Sequence, residues 1–201
     1  MSFEASLQVG KVGETAIAKW MRARGWYVLP IYEKELGEGK GPQLYTPETT
    51  LIGTDMLAFR GGKTLWVEAK HKSAFTWHRI TERWTTGIDL RHYSHYCRID
   101  DETPWPVWLL FLHRDGCAKD TPPGMVSPTG LFGGMLSYLR DHENHRHKNG
   151  GKAGMVYWAK ERLTLLAGLK DVLATNGPQV DEIISSPAHI VEQINVSDIS
   201  W

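Results

Sequence analysis

Residues 53–70 read Gly53-Thr54-Asp55-Met56-Leu57-Ala58-Phe59-Arg60-Gly61-Gly62-Lys63-Thr64-Leu65-Trp66-Val67-Glu68-Ala69-Lys70. Gly61-Gly62 separates two apolar, β-prone runs. Both glycines accept positive φ, so the pair marks a two-residue hairpin loop. Arg60 then faces Lys63, and counting outward along both strands puts Asp55 directly opposite Glu68. Side chains alternate along a strand, so Glu68 and Lys70 share a face with Asp55. Leu57, Phe59 and Trp66 lie on that face, while Met56, Ala58, Leu65 and Val67 fill the other. Strands apolar on both sides belong in the covered middle of a sheet.

Directly opposed like charges destabilise a strand pair, their Cβ atoms being roughly 4.5–5.5 Å apart. A divalent cation between the two acids turns repulsion into ligation, and hard oxygen donors favour Mg²⁺. Lys70 then stands beside the ion, placed to position a water or a phosphate oxygen. Alternatively, Lys70 neutralises both acids in a structural ion network. The hairpin alone does not separate these readings.

The pattern resembles that of the PD-(D/E)XK nuclease superfamily, which includes restriction endonucleases and archaeal Holliday-junction resolvases. There an acid at the end of one strand precedes acid-x-Lys on the next; here these are Thr54-Asp55 and Glu68-Ala69-Lys70, with Thr54 replacing the usual proline. Upstream, Gly10 to Met21 looks like the glutamate-bearing first helix of resolvase-like members, with Glu14 as that glutamate. Downstream, His92 and Tyr96 stand where some members have Gln-x-x-x-Tyr, so the glutamine is absent. The resemblance spans residues 8–112 of a single domain, 1–201, with 131–201 as a C-terminal extension.

The resemblance implies an α/β fold, restriction-endonuclease-like, with a central mixed β-sheet flanked by helices. It implies hydrolysis of DNA phosphodiesters with Mg²⁺, for which Mn²⁺ substitutes. Asp55, Glu68 and the Ala69 carbonyl become metal ligands, Lys70 assists the attacking water, and Glu14 serves a second ion or a metal-bound water. It also leaves room for a homodimer, since two strands need two sites. A compact phage or mobile-element enzyme fits the size. Two alternatives remain: a nucleic-acid-binding module of the same fold that does not cut, and a zinc hydrolase built on the histidines of 142–147.

Composition agrees with a folded globular chain of 201 residues, 41% hydrophobic and 23% charged. No apolar run approaches a membrane span and the N-terminus lacks a signal-peptide pattern, which points to a cytoplasmic protein without membrane contact. Cys97 and Cys117 form no disulfide framework and read as reduced thiols. Net charge is zero, which argues against strong non-specific DNA binding. The basic charge is concentrated, however. From Arg60 to Arg98, Lys/Arg at 60, 63, 70, 72, 79, 83, 91 and 98 face only Glu68, Glu82 and Asp89.

Elsewhere, Val12, Ala16, Ile17, Trp20 and Met21 give residues 8–24 a helical stripe. Residues 26–32 read as a strand and Glu33 to Pro47 as a loop. Residues 72–86 interleave bases and aromatics, making Lys72, Arg79 and Arg83 candidate phosphate contacts. Trp77 and Trp84 are better read as core. Residues 87–99 read as a helix, with His92 and Tyr96 as candidate nucleic-acid contacts. Residues 107–113 read as a buried strand, 115–130 as a loop and 131–142 as a helix, and His142 and His145 stand at the i, i+3 spacing of a helical zinc pair. A strand follows at 155–159, then a strand continuation or short helix over 160–173, a turn at 175–178 and a mixed tail.

Overall fold

A computed structural model describes residues 3–31, 42–116, 118, 120–148 and 154–175. Most of the 33–47 loop, Cys117, residues 149–153, most of the 175–178 turn and the tail lie outside the described residues. The order is α1 (Phe3–Arg22), β1 (Tyr27–Pro30), β2 (Gln43–Tyr45), β3 (Thr50–Ile52), β4 (Met56–Arg60), β5 (Lys63–Lys72), β6 (Thr76–His78) and β7 (Arg83–Asp89). It continues through α2 (Leu90–Glu102), β8 (Val107–His113), β9 (Gly130–Met135), α3 (Leu136–Arg140), β10 (His145–His147), β11 (Met155–Ala159), a 3-10 turn (Lys160–Arg162), β12 (Thr164–Ala167) and α4 (Leu169–Leu173).

The central sheet has six strands in the order β1-β4-β5-β8-β9-β12. It is mixed: β5 and β8 run parallel, and every other neighbouring pair is antiparallel. The β4–β5 hairpin forms in the expected register, Arg60 against Lys63 and Met56 against Val67. Gly61 and Gly62 take φ of 56° and 77°, the conformation that loop needs. Because β5 and β8 are parallel, their link must cross a face of the sheet, and α2 lies within it.

Each sheet face carries its own core. On one, Ile17, Trp20 and Met21 of α1 and Val172 of α4 pack against Met56, Ala58, Val67, Ala69 and Leu110. On the other, α2 and α3 pack with Trp66, Leu109, Phe111 and Phe132. The buried stripe of α1 holds at Ile17, Trp20 and Met21 and differs at its N-terminal end, where Val12 is exposed and Gly13 is buried. A Cβ on Gly13 would lie 2.3 Å from the His71 Cβ, so only glycine lets α1 sit this low on β5.

A second sheet, β10-β11-β7-β6, is entirely antiparallel and joins the α2 side of the core through Trp84, Ile88, Val156 and Trp158. Here the sequence-based expectations need correction. Residues 87–89 end a strand instead of opening the helix, because Thr85, Thr86 and Ile88 suit a strand and pair with β11. The helix starts at Leu90, capped by Asp89, whose side chain accepts from the Arg91 N–H at 2.8 Å. Residues 131–135 are strand, and only 136–140 are helical. Gly133 and Gly134 are poor helix formers, and a Cβ on Gly133 would meet Leu110 at 2.6 Å. Residues 160–173 divide into the 3-10 turn, β12 and α4.

Gly13→Ala should gain up to about 1 kcal/mol of helix propensity. It should nonetheless lose stability on balance, by about 1–3 kcal/mol, because α1 must lift from His71. Chemical denaturation of the two proteins measures the sign.

Candidate functional site

β4 starts one residue after Asp55, so the Ala69 N–H has no β4 carbonyl to pair with. The Asp55 carboxylate takes that place, its Oδ2 accepting from Ala69 N at 2.8 Å. Backbone pairing beyond the strand end thus aims Asp55 across β5 toward Glu68. Asp55 is further held by its own carbonyl, which accepts from Ile31 N at 2.9 Å. Before it, Thr54 is fully buried and its Oγ1 donates to the Met56 carbonyl at 3.2 Å.

Glu68 sits mid-strand in β5, paired in register with Leu109, and is 1% exposed. Neither of its carboxylate oxygens accepts a hydrogen bond of ordinary geometry. The Lys70 ammonium touches Oε1 as an ion pair. Burial and the nearby Glu68 charge push the Asp55 carboxyl up to about 7, outweighing Lys70 and the Ala69 N–H. Burial opposes the charged form of Lys70, but Glu68 and then Asp55 overcome it and raise its pKa. Glu14 contributes to the same field at Lys70.

The remaining candidates divide into two groups. Lys72 follows Lys70 on the same strand face, and burial with the Lys70 charge lowers its ammonium to about 8. On α2, the buried Tyr96 hydroxyl is driven well above its usual value by burial and the charges of Glu68 and Asp55. His92 is lowered by burial and by Lys70, against the pull of Asp89. Arg79 and Arg83, by contrast, stand at the far end of the β6–β7 hairpin, and Arg79 pairs with Asp120 at 3.1 Å. Trp84 is buried, with Trp77 packed edge-on against it.

Two residues near the site escaped the sequence reading. His95 on α2 accepts from Ile52 N at 3.1 Å and ties the helix to β3. His113, fully buried at the end of β8, pairs in register with Lys72 and stacks on Phe75 at 3.7 Å. Burial and the Lys72 charge lower it to about 3. No local spacing signals either contact, since each partner is distant in sequence.

The donors suit a hard cation: two convergent carboxylates, Glu68 almost fully buried and Asp55 beside it, with a lysine ammonium as their neighbour. Among the described residues, no three His, Cys, Asp or Glu side chains group closely enough to form a ready-made metal site. The histidines of 142–147 do not share a helix as expected. His142 lies in a turn, its Nδ1 2.8 Å from the Tyr138 carbonyl, and His145 opens β10, stacked on Tyr157.

The raised Asp55 pKa has a definite sign. The folded chain keeps this proton up to about pH 7, whereas the unfolded chain releases it near 3.8. Metal-free protein should therefore lose a few kcal/mol of stability from this group as pH rises between those values. Asp55→Asn should remove that slope, as read by denaturation with chelator at pH 4, 5.5 and 7.

No protein-family model matches the chain. No curated protein matches it in sequence. Among solved structures, it is similar to Archaeoglobus fulgidus Hjc, a Holliday junction resolvase from an archaeal hyperthermophile. The TM-score is 0.44 and the identity 8%, covering 76% of this chain and 90% of that one.

Proposed function

We propose that this chain is a metal-dependent nuclease that hydrolyses phosphodiester bonds in DNA. The observation that carries the reading is the Asp55–Glu68–Lys70 cluster, in which two carboxylates share a buried corner with one ammonium. A purely structural network could be built from a single acid and the lysine. The second acid, protonated at a cost unless a cation arrives, favours ligation.

Asp55 and Glu68 would hold Mg²⁺ or Mn²⁺, with the Ala69 carbonyl as a further oxygen donor. The bound ion supplies Lewis-acid polarisation of the phosphate and acidifies a water. Lys70, kept cationic by its carboxylate neighbours, orients the attacking water or donates to the phosphate oxygen on which charge develops. Glu14 tunes that ammonium from α1. Lys72 adds positive charge for the incoming backbone, and Tyr96, kept protonated, remains a hydroxyl donor toward Glu68. His92, with its lowered pKa, is neutral at pH 7 and contacts substrate as a polar ring.

The test is cleavage of plasmid, linear duplex and four-way-junction DNA with Mg²⁺ or Mn²⁺. Wild type should cut at least one substrate, and Lys70→Ala should be slower by about 10²–10³-fold, the usual loss of a transition-state donor. Asp55→Ala should abolish cutting. Binding without cutting by wild type would leave a nucleic-acid-binding module. If Asp55→Ala lowers stability and no protein binds or cuts, the acids are structural.

A further inference from the structure

The Asp55–Glu68–Lys70 cluster takes none of its three residues from the second sheet. That sheet nonetheless carries the most exposed large apolar side chain among the described residues, Ile80, which is 88% exposed. It stands in the four-residue turn 79–82 at the tip of the β6–β7 hairpin. A lone exposed apolar side chain is ordinary on protein surfaces. The surroundings of Ile80 set it apart.

The turn is braced. His78 Nδ1 and Thr81 Oγ1 are 2.7 Å apart, and Thr81 Oγ1 reaches Asn144 Oδ1 at 3.4 Å. Glu82 takes a φ of 49°, which returns the chain so that Arg83 pairs with His78. Behind the tip, three rings stack nearly parallel. His78 lies on His145 at 3.8 Å, and His145 on Tyr157 at 4.5 Å. Tyr157 is seated over Gly87, where a Cβ would come within 2.8 Å of the ring. Arg79 precedes Ile80 and Arg83 closes the turn after the exposed Glu82, and both arginines are exposed. Arg79 pairs with Asp120, but 79% of its side chain is in solvent, so a phosphate can replace Asp120 at little cost.

We propose that this tip is a wedge that enters a nucleic-acid duplex, with Ile80 inserting at a base step and Arg79 and Arg83 holding flanking phosphates. The proposal rests on the nuclease reading and adds how the substrate is gripped and distorted. Branched aliphatic side chains unstack base steps when a rigid support drives them in and cations hold the backbone. The stacked rings supply the support, and the half-buried His78 ring offers a surface to an unstacked base. From Arg83 to Asp89, β7 spans about 20 Å. Asp89 lies within the electrostatic reach of His92 and Tyr96 at the carboxylate site.

The experiment uses the full chain in the Lys70→Ala background with Mg²⁺, read before its slowed cutting consumes the DNA. Duplexes carry 2-aminopurine at successive positions; anisotropy reports binding and 2-aminopurine fluorescence reports unstacking. One position should brighten several-fold. Adding Ile80→Ser should erase that rise with binding affected less than about threefold, and Ile80→Leu should restore it. Arg79→Gln with Arg83→Gln should weaken binding about tenfold and flatten its salt dependence. A rise that survives Ile80→Ser, or bound DNA with no brightened position, overturns the wedge and leaves the nuclease reading standing. If wild type neither binds nor cuts DNA, the nuclease reading falls first and the wedge falls with it.

Discussion

Two carboxylates held against each other out of water are the constraint around which this chain is organised. Asp55 and Glu68 repel, and burial takes Glu68 out of solvent and partly desolvates Asp55. Their arrangement survives because the surrounding backbone leaves them no alternative. Asp55 completes a ladder hydrogen bond that β4 is too short to make, and Glu68 is fixed at the centre of a strand paired on both sides. Lys70 relieves part of the repulsion, and in return its ammonium is stabilised beyond its ordinary range. Under the proposed function, a cation bound between the two acids would relieve this repulsion.

The rest of the fold keeps that corner rigid. On one face, α1 descends onto β5 at Gly13, which brings Glu14 within the field of Lys70. On the other, α2 crosses between the parallel strands β5 and β8 and sets Tyr96 and His92 over the acids. His95 fastens the same helix to β3. The site is therefore enclosed by elements from both layers, and its electrostatics come from α1, β4, β5 and α2 together.

The second sheet answers to a different demand. Its inner face extends the core with Trp84, Ile88, Val156 and Trp158, while its outer face presents His78, His145 and Tyr157 as a stacked column. A core alone would not need a braced hairpin tip bearing an apolar side chain between two arginines. The carboxylate corner lies at the β4–β5 pair, and the hairpin tip stands at the opposite end of β7 from Asp89.

Much of this was legible in the linear chain because the information was local. Gly61-Gly62 specifies a tight loop, a tight loop fixes the register, and the register places Asp55, Glu68 and Lys70 on one face. The helix expected at 8–24 from its apolar spacing is found at 3–22, the strand expected at 107–113 forms there, and the central mixed sheet is the one the family resemblance implied. Tertiary structure decided what depends on distant partners. Residues 85–89 became strand because β11, some seventy residues on, pairs with them, and residues 131–135 became strand because β8 and β12 flank them. The α1 stripe buries Gly13 at its N-terminal end because His71 stands beneath it, and Asp55 gained its raised pKa only when burial brought Glu68 close. Local propensity sets what a segment can form, whereas desolvation and strand pairing act between segments that the sequence keeps apart.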